Sequence, residues 1–243
     1  MNRTETAKLN DLRYWYPKVK DIVKTPDTVI VEADGIEFIH MLDGNPVKGW
    51  DSFLHRMWEA VRQIGGTPCF LRTGHTSGKH QWKDTCYLTD MDCLPEHIYN
   101  LVEFSFIADF WGLPLDTWAV RKLLPTEPVF TAFYGDMPIT RELRLFVKDG
   151  KIVHWQPYWP AAAIKGHCKD PVWLERMPSI QSFSESELWD LSIQTIAINK
   201  AVPGYWSVDW LHTKTGWYMI DMAIGDMSYK WDFKHDSSNA ENL

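Results

Sequence analysis

The sequence predicts an α+β protein of two closely packed lobes built on predominantly antiparallel sheets. Three observations carry this expectation. Apolar residues recur at helical spacing in three separate stretches. Between them lie short β-prone runs, and two pairs of these flank tight-turn dipeptides, Asp149-Gly150 and Thr215-Gly216. No internal repeat or long low-complexity linker interrupts the 243 residues, which favours packed lobes over tethered domains. The expected division is an N-terminal region and first lobe over 1–115, a second lobe over 116–233 and a polar tail over 234–243.

The first 27 residues read as a polar opening that ends in the turn-rich "KTPDT". Thr28 to Ala33, "TVIVEA", is short and β-branched, which predicts a strand. In "GWDSFLHRMWEAVRQIGG", Trp50, Phe53, Leu54, Met57, Trp58, Val61 and Ile64 recur every three or four residues, which predicts an amphipathic helix ended by Gly65-Gly66. The strand "CFLRT" follows, and a second helix is predicted over Pro95 to Trp111 with Ile98, Leu101 and Val102 inward. "TWAVRKLL" reads as a strand, and "TRELRLFVKDGKIVHWQPYW" as two strand arms around Asp149-Gly150. Lys165 to Phe183 holds two prolines and little periodicity and reads as loop. Ser184 and Glu187 have the spacing of a reciprocal N-terminal cap before a third helix that ends near Pro203-Gly204. "YWSVDWLHTKTGWYMIDMAIGDMSYKW" reads as a hairpin.

Bulk properties limit the function classes. A formal charge of -7, from 32 acidic and 25 basic residues, gives no general electrostatic attraction to nucleic acid or an anionic membrane. The N-terminus lacks the apolar core of a signal peptide, and no apolar run approaches the ~20 residues that span a bilayer. A soluble, cytoplasmic protein is the expectation. The 4 cysteines form no CxxC pair and read as buried thiols, and the 14 tryptophans select no ligand by their number.

Candidate chemistry lies in three places. The loop "CFLRTGHTSGKHQW" lacks Walker A spacing, but Arg72, Thr73, Thr76, Ser77 and Lys79 suit a phosphate. A solvated surface loop is the other reading. His75 and His80 complete no four-ligand zinc pattern. Arg121 and Lys122 alternate faces of their strand, whereas Glu142 and Arg144 share one, placing a carboxylate to orient an arginine or to form an ordinary ion pair. Asp209 and Asp221 fall nearly opposite each other if the last hairpin turns at Thr215-Gly216, and such a pair needs protonation, an arginine or a cation to relieve it. Mg2+ is one solution, with Asp226 as a third oxygen ligand or a turn residue.

The order of "YWYPKV", "FLRT" with "SGKHQW", "WAVRKLL" with "TRELRLFVKDGKIV", and "WSVDW" with "GWYMIDMAIGDMS" resembles the ATP-grasp family. The similarity is greatest to its viral and bacterial branch, related to eukaryotic cell-division-cycle proteins that help assemble translation initiation factor 2. It runs discontinuously from Tyr14 to Trp231. The resemblance implies ATP held between two α+β lobes, with Mg2+ between its phosphates and acidic side chains. It further implies Arg72 or Lys79 as a phosphate-side cation, Arg121 and Lys122 on the strand passing the adenine, Glu142 and Arg144 in the cleft, and Asp209 with Asp221 as metal carboxylates. Relatives often carry asparagine, glutamate or glycine where Met222 and Ala223 stand, so Asp226 is a substitute ligand. The chemistry implied is carboxylate–amine ligation through an acyl phosphate, with Arg144 and Lys79 acting in the transfer step. The carboxylate and amine substrates are unidentified. The alternative is an ATP-binding assembly or interaction protein with a protein partner. "VKDG" only superficially suggests lysine nucleotidyl transfer, since Lys148 and Asp149 lack the intervening residue of KxDG.

Overall fold

The structure, a computed structural model, describes residues 3–109 and 112–233. Trp111, the predicted end of the second helix, and the predicted tail over 234–243 lie outside the described residues. The chain divides into two compact units, Met1–Tyr14 with Pro26–Leu124 and Tyr134–Met137, and Trp15–Thr25 with Pro125–Phe133 and Pro138–Leu243. The N-terminal residues that read as a polar opening form two helices, α1 (Arg3–Asn10) and α2 (Leu12–Val19). In α2 the apolar residues Leu12, Trp15, Tyr16 and Val19 stand at helical spacing and are all buried, but Pro17 inside the helix and the polar residues before it masked it in the sequence.

The first unit is a sheet covered on one face by helices. Its strands are β1 (Thr28–Glu32), β2 (Cys69–Thr73), β3 (Tyr87–Leu88) and β4 (Thr117–Lys122), in the order β1-β4-β2-β3 with antiparallel pairing. Thus β4, placed by the sequence at the start of the second lobe, is an inner strand of the first sheet. The short α3 (Ile39–Leu42) precedes α4 (Trp50–Gln63), and α5 (Leu94–Ile107) follows β3. Phe53, Met57, Ile98, Leu101, Leu71, Trp118 and Val120 form one buried cluster, as the helical spacing of α4 and α5 anticipates. Each such side chain contributes about 1.5–3 kcal/mol on burial.

The second unit repeats the one-sided plan. A short ribbon of β5 (Phe130–Ala132) and β6 (Met137–Ile139) leads to a four-stranded antiparallel sheet of β7 (Glu142–Lys148), β8 (Lys151–Pro157), β9 (Tyr205–Thr213) and β10 (Gly216–Ile224), ordered β10-β9-β7-β8. Asp149 and Gly150 turn between β7 and β8 with φ of 51° and 71°, the left-handed pair that a two-residue hairpin turn needs. Lys165 to Phe183 is not all loop. After α6 (Ala161–Ile164), α7 (Trp173–Gln181) carries Pro178 inside it, which masked the helix in the sequence.

The third predicted helix, α8 (Glu185–Ala201), lies on the apolar face of this sheet, where Leu191, Thr195 and Ile198 are buried and the Trp210 indole N–H donates to Thr195 Oγ1 at 3.0 Å. The Ser184/Glu187 capping box forms as expected. Arg141 adds to it, donating to Glu187 Oε2 at 2.9 Å. Burial acts against the Glu187 charge, but Arg141 and the Ser184 N–H and hydroxyl outweigh it and hold the carboxyl down at about 2, against an ordinary 4.5. A depressed carboxylate stabilises the fold above its unfolded value and loses that contribution as pH falls through its folded value. Glu187→Gln should therefore cost ~1 kcal/mol above pH 4.5, after solvent screening, with the gap to the parent closing toward pH 2. Urea midpoints across that window measure it, and a gap that persists at the acid end would refute the assignment.

Candidate functional site

The face of the second unit's sheet that points away from α8 is where the polar residues gather. Strand alternation puts Glu142, Arg144 and Phe146 of β7 on this face, while Leu143, Leu145 and Val147 point toward α8. Arg144 stands opposite Asp209 on β9 and Gln156 on β8, and Asp209 stands opposite Asp221 on β10. Two bulges produce this alignment. One lies between Phe146 and Val147 in the β7–β8 ladder, the other between Met219 and Asp221 in β10. A bulge moves every later residue to the other face, so without the second one Asp221 would point toward α8.

Arg144 and Asp209 form a two-bond fork. Nε donates to Oδ1 at 2.7 Å and Nη2 to Oδ2 at 2.8 Å, with side-chain exposures of 15% and 8%. Burial opposes the guanidinium charge, but Asp209 outweighs it, with Tyr158 and Asp221 adding smaller favourable contributions, and the net shift is further upward. The guanidinium also lies over the Tyr158 ring, 4.7 Å from its centroid. Of the three ways to relieve the Asp209/Asp221 pair, this chain uses an arginine. Glu142, on the same face of β7 as Arg144, accepts at its Oε1 from the Trp159 indole at 2.8 Å.

Gln156, Tyr158, Trp159 and Tyr229 were missed by sequence reasoning as individual members of this face. Gln156, Tyr158 and Trp159 lie in "VHWQPYWP", a Trp- and His-rich stretch that reads as the lining of an acceptor pocket or as aromatic packing, with no single residue of it marked out. The one usable signal was polarity, since Gln156 is a buried amide in an apolar strand.

Asp221 Oδ1 accepts from the Met222 N–H at 3.1 Å. Asp226 is exposed on the 3-10 turn after β10, near Tyr205, whose phenol is raised by burial and by the Asp226 charge. Among the described residues, no group of three or more His, Cys, Asp or Glu side chains is placed to hold a metal ion, so Asp226 does not join Asp209 and Asp221 in such a set. The two β-strand carboxylates remain hard oxygen donors of the kind Mg2+ takes. A carboxylate has about four lone-pair positions, and the guanidinium fork uses two of those on Asp209. The donor chemistry therefore fits the cation, with Asp209 shared between it and Arg144.

In the first unit, Arg72 and Arg121 lie on the sheet face away from the helical core. Both are buried, Arg72 Nε donating to the Thr73 carbonyl at 3.0 Å and Arg121 Nε to Thr28 Oγ1 at 3.0 Å. Lys122 points to the other face, as alternation requires, and its exposed ammonium is 3.7 Å from Asp27. The loop after β2 is pinned rather than loose. Thr73 Oγ1 accepts from the His75 and Thr76 N–H groups, and Gly74 donates to the Thr117 carbonyl at 2.7 Å. Gly74 lies so close to Asp11 that a Cβ would fall 2.6 Å from its Oδ1. Lys79, half-buried further along, shares surroundings with Arg72. Burial pushes the Cys86 thiol up to about 12, and both cations act against that rise.

No family model matches the sequence, and no curated protein matches it. Solved structures do. C-terminally truncated Cdc123 from Schizosaccharomyces pombe superposes with a TM-score of 0.58 at 13% identity, covering 100% of this chain and 96% of that one. A RimK domain protein, ATP-grasp, from Sphaerobacter thermophilus gives 0.50 at 13% identity, covering 98% of this chain and 65% of that one. The chain has an ATP-grasp fold. A second Cdc123 structure from the same yeast agrees, with a TM-score of 0.55 at 14% identity and coverage of 100% and 94%. The ATP-grasp architecture accounts for the two α+β units with antiparallel sheets. Among the described residues no helix is long and apolar enough to cross a membrane.

Proposed function

We propose that this ATP-grasp protein binds ATP with Mg2+ and uses the bound nucleotide to engage a protein partner, without turning over a small acceptor. The observation that supports this reading is the Arg144–Asp209 fork beside Asp221. A guanidinium closed on a buried carboxylate is close to a neutral pair. It directs hydrogen bonds to an anionic ligand but contributes less uncompensated positive charge to a phosphoryl transfer than a lone cation does. In this reading Arg72 or Lys79 meets phosphate, Arg121 and Lys122 belong to the strand along the adenine, and Glu142 and Arg144 flank the carboxylates. Asp209 and Asp221 hold Mg2+, which when bound neutralises phosphate charge. The extent of the likeness to Cdc123 in both chains also favours it.

The second reading, carboxylate–amine ligation through an acyl phosphate, draws on the structural likeness to a RimK domain protein. In it Arg144 and Lys79 carry the transfer step, and water must be kept from the activated acyl group. ADP release decides between the two. Saturable Mg-ATP binding with no acceptor-stimulated ADP formation is the expected result. Multiple-turnover ADP formation that depends on an added carboxylate and amine would replace the assembly reading with the ligase one.

A further inference from the structure

After the 3-10 turn, the chain crosses the polar face of the second unit's sheet as a strap, Ser228 to Trp231. Its contacts are specific. The Ser228 and Ser207 hydroxyl oxygens are 2.6 Å apart, the Lys230 ammonium lies 5.6 Å from the Phe146 ring centroid, and the Trp231 indole donates to the Pro157 carbonyl at 3.1 Å. At the centre, the Tyr229 carbonyl accepts from Arg144 Nη1 at 3.3 Å and from Gln156 Nε2 at 3.2 Å. Gln156 Oε1 in turn accepts from the Trp231 backbone N–H at 3.0 Å. One amide thus grips the strap on both sides of Lys230.

We infer that Gln156 is a positioning residue that holds the Arg144 guanidinium toward its anionic ligand through the backbone of Tyr229. The inference rests on the nucleotide reading above and adds to it a residue that touches neither nucleotide nor metal. Asp209 fixes the guanidinium on one edge through Nε and Nη2. This leaves rotation of the long side chain as the freedom to be removed, and the Tyr229 carbonyl removes it from the Nη1 side. Three of the five guanidinium N–H donors are then engaged, leaving two to meet a phosphate oxygen. Gln156 is 1% exposed, so its amide cannot exchange partners with solvent and holds the strap in one place.

The test uses the full chain with Gln156→Met, which keeps the volume and removes the amide's two bonds to the strap together with its contact to His154 Nε2 at 3.2 Å. The milder Gln156→Asn withdraws the amide by one methylene and serves if the methionine variant does not fold. ATP and adenosine affinities are measured with Mg2+ by calorimetry, and exchange of the Trp231 amide proton is followed in the same proteins. The expected result is about a tenfold loss of ATP affinity, adenosine affinity unchanged, and faster exchange at Trp231. Parent-like ATP affinity despite faster exchange would overturn the positioning role and leave the nucleotide reading standing. Equal losses for ATP and adenosine, or an unchanged Trp231 amide, would also overturn it. A parent protein that does not bind ATP would remove the nucleotide reading, and the inference with it.

Discussion

Arg144→Ala should cost the second unit about 3–5 kcal/mol, because it leaves the Asp209 carboxylate buried without the fork that balances it. The penalty comes from the orphaned charge, not from the pair's own worth. Asp209 is 8% exposed, on an inner strand, and its β7 neighbour is the arginine that both oxygens contact. Arg144→Met combined with Asp209→Leu should therefore recover most of the loss, since it replaces both charges with apolar volume. Denaturant midpoints for the second unit's transition in the two single variants and the double variant complete the cycle. If Arg144→Ala unfolds within about 0.5 kcal/mol of the parent, the scale of an ordinary surface change, the fork does not hold this face together.

Asp221→Asn should leave the fold intact and reduce Mg-ATP affinity by more than about tenfold, or ~1.4 kcal/mol. The substitution keeps the shape and removes the charge that a hard cation requires. Asp209→Asn should weaken nucleotide binding as much and should also destabilise the protein, because Arg144 loses its charged partner. The fork balances Asp209, so neutralising it removes a favourable pair. Asp226→Asn should bind like the parent, since Asp226 is exposed on the turn beside Tyr205 and is not gathered with the other two. Calorimetry at fixed Mg2+ checks all three. Parent-like affinity in both strand variants would remove the metal assignment.

The elements that could be read from the sequence are those whose information is local. The apolar period of α4, the capping box of α8 and the left-handed Asp149-Gly150 turn each depend on residues within a few positions of one another. What could not be read depends on distant packing or a one-residue irregularity. α2 and α7 are both disguised by a proline inside the helix, Pro17 and Pro178. The candidate site divides the same way. The opposition of Asp209 and Asp221 was anticipated from the hairpin turn, although the bulge before Asp221 is what puts the two on one face. The partner of Arg144 was not anticipated, because Glu142 shares its strand and face whereas Asp209 reaches it only through the β7–β9 register. Gln156 was hidden by the bulge in the β7–β8 ladder, since regular pairing from the turn would have set Trp155 opposite Arg144.

Titration of the full chain with ATP in the presence and absence of Mg2+, followed by calorimetry, tests the central claim most directly. Saturable binding with a dissociation constant below about 1 mM, tightened by Mg2+ and weakened in Asp221→Asn, is the result the fork and its neighbouring carboxylate predict. No saturable binding by the folded protein up to that concentration would contradict it.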